Sequence, residues 1–158
     1  MPKTSYAIAL GSNRRTRKGS PEATLRAAMR KLDAEAESRV IASPAMGAAG
    51  RNFANAAIVV RSKLEPPEML RRLKAIERKL GRRRGRRWGD RPIDLDIILW
   101  SGGPWVSKGL VIPHPHFRER DFVLRPLAGI ARDWRDPLSG LSIAQLHARL
   151  TRRRPASR

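Results

Sequence analysis

The triplet Asp94-Leu95-Asp96 sits in an otherwise apolar run from Ile93 to Trp100. On an extended strand, residues i and i+2 share one face, with Cα atoms about 6.5–7 Å apart. Two carboxylates held that way repel each other and need a cation. The chemistry that uses such a pair is phosphate chemistry. Hard divalent ions such as Mg²⁺ take oxygen ligands from carboxylates and phosphates, and two ions about 3.5–4 Å apart can clamp both oxygens of an in-line displacement. Taken alone, the triplet is more often the polar stripe of a half-exposed strand, neutralised by nearby arginines, because so short a motif is common.

Two neighbouring segments change that balance. Upstream lie Arg82, Arg83, Arg84, Arg86, Arg87 and Arg91, guanidinium groups able to grip polyphosphate bidentately. Downstream come Pro113-His114 and then Arg118, Arg120 and Phe122. A histidine beside a proline is commonly a structural hydrogen-bonder. Next to a phosphate it can also donate a hydrogen bond or a proton. Phosphoryl-type transfer relies on cations, positioned donors and metal more than on a covalent nucleophile. Those parts are present, while a Gly-x-x-x-x-Gly-Lys-Ser/Thr loop is absent, so a transferase outside the P-loop class is the reading favoured by spacing.

Composition narrows the field further. A chain of 158 residues is the size of one domain, with a folded unit expected over 1–150 and a frayed basic tail over 151–158. The net charge of +20 favours an anionic partner. Between Arg71 and Arg91 there are eleven basic residues against Glu77 and Asp90, so a basic RNA- or ribosome-binding module is the alternative from another class. Binding nucleic acid through stacked bases would want aromatics among the arginines, yet only Trp88 interrupts this run. The aspartate pair also opposes RNA at that surface, and nucleic acid is not the expected partner. Zero cysteines remove disulfides, thiolate metal sites and cysteine nucleophiles together. The apolar run Tyr6 to Leu10 is far short of the roughly 20 residues that cross a bilayer. With no long apolar h-region at the N-terminus, a cytoplasmic protein without a membrane partner is expected.

The elements that must position these groups follow from patterning. Tyr6 to Leu10 predicts a strand ending at Gly11-Ser12-Asn13. Ser20-Pro21-Glu22 predicts a helix start, and Leu25, Ala28, Met29 and Leu32 carry that helix to about Ala36. Val40 to Ala42 predicts a brief strand and Asn55 to Arg61 a longer one. A second helix opens at Leu64-Glu-Pro-Pro-Glu68, buries Met69, Leu70, Leu73, Ile76 and Leu80, and stops at Gly81. Ile93 to Trp100 predicts the strongest strand, with Val111-Ile112-Pro113 as a short partner. Phe122 to Ile130 suits a short helix or an irregular packed segment, and Ser142 to Gln145 is a capping box before a last helix ending near Leu150. The order β-α-β-β-α-β predicts an α+β plait, an antiparallel sheet with helices packed on one face.

Read in order, Ala9-Leu-Gly-Ser-Asn13, Phe53-Ala-Asn55, Ile76-Glu77 before Gly81-Arg82, Arg87-Trp88-Gly89-Asp90-Arg91-Pro-Ile-Asp94-Leu-Asp96, and Ile112-Pro113-His114 followed by Arg120-Asp-Phe122 resemble the 6-hydroxymethyl-7,8-dihydropterin pyrophosphokinases of folate biosynthesis. The resemblance spans roughly residues 5 to 150. It implies a ferredoxin-like α+β monomer that moves pyrophosphate from ATP, as co-substrate, to the pterin hydroxymethyl oxygen and releases AMP. It further implies that Asp94 and Asp96 hold two Mg²⁺ ions, with Arg82 and Arg91 orienting the polyphosphate and Arg84 and Arg87 adding secondary contacts. Glu77 would sit near the nucleotide, His114 and Arg120 would contact phosphates, and Trp88 would close over the site. Phe53 and Phe122 would sandwich the pterin ring, with Asn55 on its edge and Gly11 lining the slot. From the residues alone, the two phenylalanines read as core packing. The resemblance thins between Glu37 and Phe53, where only Ser43-Pro44-Ala45-Met46-Gly47 is similar to the family's Thr-Pro-Pro-like loop. A relative with impaired pterin binding is therefore a further alternative.

Overall fold

The computed structural model describes residues 2–43, 53–81 and 92–152. Strand β1 (Thr4–Ser12) is the centre of the sheet, paired antiparallel with β4 (Phe53–Ser62) on one side and β5 (Asp94–Trp100) on the other. Two short strands, β2 (Ala36–Glu37) and β3 (Ile41–Ser43), both pair with the outer edge of β4. Counted as one interrupted strand, they give the order 2-3-1-4 of the expected plait. The interruption is bridged by Ser38, whose N–H donates to the Ala57 carbonyl at 2.9 Å while its hydroxyl accepts the Ala57 N–H at 2.8 Å. A side chain thus completes a ladder that the backbone leaves off.

Helix α1 (Pro21–Leu32) begins as predicted, with the Ser20 hydroxyl accepting the Ala23 N–H at 3.2 Å. It ends a turn before the expected Ala36. Asp33 takes the left-handed conformation at φ 50°, which a short polar side chain tolerates better than most. The backbone is then captured by the sheet, Glu35 N–H donating to the Val59 carbonyl at 2.8 Å. Helix α2 (Pro66–Lys79) has a capping box between Glu65 and Glu68 and runs to Leu80 and Gly81. Gly81, at φ +115°, has the positive φ that lets a chain leave a helix at no steric cost.

One expectation is corrected: the helices cover both faces of the sheet. Leu25, Met29 and Leu32 of α1 and Met69, Leu73 and Ile76 of α2 pack on Tyr6, Ile8, Leu10, Ile58, Leu95 and Ile97. On the opposite face, α3 (Asp121–Ile130) and α4 (Ile143–Thr151) bury Val123, Leu124, Leu127, Ile143 and Leu146 against Ala7, Ala9, Ala57, Ile98 and Leu99. The uninterrupted apolar run in β1 carries this signal, because a strand covered on both sides has no polar face. Fully buried leucines such as Leu25 and Leu73 each contribute on the order of 2–5 kcal/mol by the cost of truncating them to alanine.

Phe122 to Ile130 resolves as helix, despite Pro126 inside it. The expected partner strand near Val111 exists as β7 (Leu110–Ile112), but it pairs with β6 (Trp105–Ser107) in a separate ribbon instead of joining the sheet. Trp105 anchors that ribbon edge-on against Trp100, ring centroids 5.8 Å apart. Among the described residues no helix is long and apolar enough to cross a membrane. The tail over 153–158 lies outside the described residues.

The C-terminal third is tied down by an ion pair that patterning did not single out. Asp136, 0% exposed, accepts two bonds from Arg118 at 2.6 and 2.8 Å, one from the Ser139 hydroxyl at 2.7 Å and one from the Leu138 N–H at 3.1 Å. The Arg118 guanidinium holds this carboxyl down at about 2, against an ordinary value of 3.8. A depressed folded-state value stabilises above the unfolded value, so this contribution is complete above pH 4 or so and fades as pH falls towards about 2. Asp136→Ala is expected to cost about 3 kcal/mol at pH 7, since it strands a partly buried guanidinium, and the difference from wild type should shrink at pH 2.5. Urea unfolding at both pH values checks this; equal midpoints at pH 7 would contradict it.

Candidate active site

The site is built by strand register. Gly11 on β1 stands opposite Asn55 on β4 and Asp94 on β5, and Ala9, two residues back, stands opposite Ala57 and Asp96. These residues share one face by the period-two rule, and it is the face that α3 covers. Leu95 and Ile97 point the other way, into the core under α1 and α2. The two carboxylates therefore lie side by side, as their spacing predicts. Past them β5 shifts register against β1, with Ala7 opposite Leu99 and Ile8 opposite Ile97. The extra residue, Ile98, lets both Ile98 and Leu99 pack under α3 and α4.

Where α3 begins, the small side chains of β1 leave space. A cavity of about 450 Å³ opens there, with Ala9, Gly11, Ser43, Phe53, Asn55, Asp94, Asp96 and Ile98 on the sheet side and Glu119 to Val123 as the opposing wall. Its size suits a small ligand. Seven residues singled out from sequence line it: Gly11, Phe53, Asn55, Asp94, Asp96, Arg120 and Phe122. Phe53 and Phe122 come from opposite walls, on β4 and α3. The Arg120 guanidinium lies 5.9 Å from the Phe122 ring centroid, within reach of a cation–π contact. That pairing keeps a cation and an aromatic face together at one rim.

His114 sits beside this cavity. Its N–H donates to the Ile98 carbonyl at 3.0 Å, and its Nδ1 accepts the His116 N–H at 3.1 Å. Burial first, then the neighbouring Arg120 and His116, push its imidazole below the usual range, with Asp94 opposing them. A neutral ring whose Nδ1 is an acceptor carries its proton on Nε2. His114 is thereby set up as a neutral donor.

Glu77 does not line the cavity. It is 3% exposed on α2, and its Oε2 accepts the N–H of Leu95 at 2.8 Å. It thus holds the backbone midway between the two aspartates from the far side of the sheet. Arg82, Arg84, Arg87, Trp88 and Arg91 lie outside the described residues, as does the stretch 44–52. The flanks of 82–91 do meet. A Cβ on Gly81 would be 3.9 Å from Pro92 Cβ, and the Ser12 hydroxyl donates to the Pro92 carbonyl at 2.6 Å. That join is two residues from Asp94.

Ser43, Glu119 and Asp121 line the cavity too, and none was singled out as a site residue. Asp121 is the first residue of α3, where an acid reads simply as favourable to the helix dipole. It is held by Arg125 at 2.8 Å and by the His147 Nε2 at 3.1 Å. Its neighbourhood comes from α4 docking on α3, a tertiary contact with no local signature. Among the described residues no group of three or more His, Cys, Asp or Glu could hold a metal ion by itself. Any ion at Asp94 and Asp96 would need the rest of its oxygen ligands from elsewhere, as Mg²⁺ commonly takes them from phosphate and water.

Comparison with known proteins identifies the family and the fold. A family model for 7,8-dihydro-6-hydroxymethylpterin-pyrophosphokinase (HPPK) matches residues 7–132. A 2-amino-4-hydroxy-6-hydroxymethyldihydropteridine pyrophosphokinase of Synechocystis sp. is 46% identical over 104 residues, which are 66% of this chain and 53% of that protein. One of the same description from Methylorubrum extorquens is 40% identical over 137 residues, covering 82% of this chain and 84% of the other. The chain thus spans about half the length of the first relative and most of the second. Among solved structures, the fold is similar to Plasmodium falciparum HPPK-DHPS, with a TM-score of 0.69 and 13% identity, over 93% of this chain and 41% of that one.

The close approach at Gly11 offers a structural check. A Cβ there would meet Asn55 Nδ2 at 3.2 Å and Phe53 Cδ1 at 3.7 Å. Gly11→Ala is therefore expected to move the Asn55 amide while costing less than about 1–3 kcal/mol, the usual range for overpacking. Side-chain amide resonances of Asn55 should shift in the variant. Unchanged resonances would contradict the contact.

Proposed function

The chain belongs to the 7,8-dihydro-6-hydroxymethylpterin-pyrophosphokinase family, and from that premise we propose that it transfers pyrophosphate from ATP to the hydroxymethyl group of 6-hydroxymethyl-7,8-dihydropterin, releasing AMP. The observation that carries this reading is the meeting, in one cavity, of a paired-carboxylate strand face with an aromatic slot closed by an amide. A flat heteroaromatic ring fits between Phe53 and Phe122, which offer π-faces, while Asn55 meets its polar edge. Its hydroxymethyl oxygen is then directed towards the aspartate end of the same cavity.

The oxygen of that hydroxyl forms a bond to the β-phosphorus and gives up its proton to water, and the bond from this phosphorus to the bridging oxygen of the α-phosphate breaks. AMP leaves with the bridging oxygen. Asp94 and Asp96 would hold two Mg²⁺ ions, which supply Lewis-acid stabilisation of charge on the phosphate oxygens when bound. The donor set fits such ions, being oxygen only and incomplete without phosphate and water. Arg120 and the neutral Nε2–H of His114 are the described groups able to contact phosphate oxygens. Arg82 and Arg91 are assigned the orienting of the polyphosphate, with Arg84, Arg87 and Trp88 as supporting contacts, on the strength of the family resemblance. Glu77 acts from behind, by fixing the strand segment that carries both aspartates. A monomer is the proposed working state.

The alternative of a polyanion-binding module rests on α2, where Arg71, Arg72, Lys74, Arg78 and Lys79 are all exposed. That helix carries no aromatic side chain to stack a base, and it lies on the face of the sheet away from the cavity. The enzyme reading predicts AMP formation from ATP only when both the pterin and Mg²⁺ are present. Asp96→Ala should lower kcat by at least about 10³-fold, comparable to losing a principal transition-state stabiliser, with an unchanged melting profile. Arg91→Ala should slow the single-turnover rate more than it weakens ATP binding. AMP release by Asp96→Ala at the wild-type rate would remove the metal assignment.

A further inference from the structure

The outer side of the α1 and α2 layer carries cations from both helices. On α2, Arg71 and Arg78 are two turns apart and share one side, with Arg72 and Lys79 beside them at the same spacing, and all four are exposed. On α1, Arg30 and Lys31 are exposed in the last turn. The Arg72 Nη2 donates to the Lys31 carbonyl at 3.0 Å, which ties the middle of α2 to the end of α1 and makes one surface of the two. Acids of the same helices are already engaged. Glu22 pairs with Arg26 at 3.4 Å, and Glu68 closes the capping box with Glu65. Among the described residues, no carboxylate lies within ion-pair distance of Arg30, Lys31, Arg71, Arg78 or Lys79. A surface with one sign of charge and no internal partner attracts a polyanion.

We propose that this layer docks the phosphate backbone of a double-stranded nucleic acid, at a surface separate from the catalytic cavity. Arg71 and Arg78 are about 10 Å apart along the helix axis, and packed helices lie about 8–10 Å from each other. A duplex carries one charge per roughly 1.7 Å of its axis, so such a surface meets several phosphates at once. Contacts of this kind fix position without reading sequence. A single strand held by its bases fits less well, since neither helix carries an aromatic residue on which to stack them. An anionic membrane fits less well too. Helices that lie on a bilayer insert apolar side chains, whereas those of α1 and α2 are spent on the core. The exposed large apolar residues, Val106, Val111, Leu138 and Leu150, belong to neither helix. Asp94 and Asp96, which oppose nucleic acid, face the other side of the sheet.

Fluorescence anisotropy of a labelled two-turn DNA duplex tests this on the full chain. Wild type should bind it, with an affinity that falls at least about 100-fold between about 50 and about 200 mM salt. In the triple variant Arg71→Gln, Arg78→Gln and Lys79→Gln, the slope of log affinity against log salt should shrink by about 0.9 for each cation removed, and affinity at the lower salt should drop at least about tenfold. All three side chains are exposed and outside the cavity, so the kinetics of the variant should match wild type. A saturating non-hydrolysable ATP analogue with Mg²⁺ should leave duplex affinity unchanged, and an RNA duplex of the same sequence should bind about as well, since only phosphates are contacted. In wild type, titration with the duplex should shift the amide resonances of Arg30, Arg71 and Arg78 and leave those of Gly11, Asn55 and Asp96 in place, a readout that needs no variant. Absence of duplex binding, a wild-type salt slope in the triple variant, displacement by the ATP analogue, or shifts centred on the cavity would each overturn the proposal. So would tighter binding to phosphatidylglycerol vesicles, or to the corresponding single strand, than to the duplex.

Discussion

Everything in this molecule depends on the antiparallel register that sets β1 between β4 and β5. That register puts Gly11 opposite both Asn55 and Asp94, so a hydrogen-bonding amide and a carboxylate flank a position with no side chain. A slip of one residue along β1 would turn Tyr6, Ile8 and Leu10 outward and replace the cavity floor with bulk. The register is enforced by those same residues, fully or almost fully buried under α1 and α2. Core and site are thus two sides of one strand. Large side chains on one face hold it in place, and small ones on the other leave room for a ligand.

The carboxylate pair is an arrangement that stability alone would not favour. Asp94 and Asp96 stand two residues apart on one face, beside apolar neighbours, where two like charges repel each other. Glu77 adds a third acid to the same strand region, but it spends its carboxylate on the Leu95 N–H and lies behind the sheet. The compensating cations are divided by the fold. Those of α2 face solvent on the far side, while Arg120 is on the cavity wall. The segment 82–91 leaves and returns at adjoining points close to Asp94. Among the described residues, the exposed cations of α2 are therefore remote from the cavity, while Arg120 lines it.

How far the chain could be read without coordinates depends on how local each signal is. The strand over Ile93 to Trp100, both capping motifs at Ser20 and Ser142, and the facing of the two aspartates follow from period and cap chemistry, and they are found as expected. The end of α1 is not legible, because Asp33 and the Val59 carbonyl compete with helix propensity through a tertiary contact. The coverage of both sheet faces is legible only in the unbroken apolar run of β1. Phe53 and Phe122 look like core residues from composition, and it is their place at the two walls of one cavity that distinguishes them. Ser43 carries only the signal of the Ser43-Pro44 stretch that resembles the family's Thr-Pro-Pro-like loop, and its bond to Asn55 exists only where β3 meets β4. The clamp from Arg118 to Asp136 is hidden for the same reason, its partners being joined by folding and not by spacing.

The central claim is that the aspartate face of β5 and the slot at Asn55 are one site for a metal-bound nucleotide and a flat ring. Paramagnetic broadening by Mn²⁺, added with a non-hydrolysable ATP analogue to isotope-labelled protein, tests it most directly. Mn²⁺ replaces Mg²⁺ at oxygen-donor sites of this kind. Resonances of Gly11, Asn55, Asp94 and Asp96 should broaden first, with those of Arg26 and Arg71 on the opposite layer unaffected. Broadening centred on α1 and α2, with the cavity resonances untouched, would contradict the account.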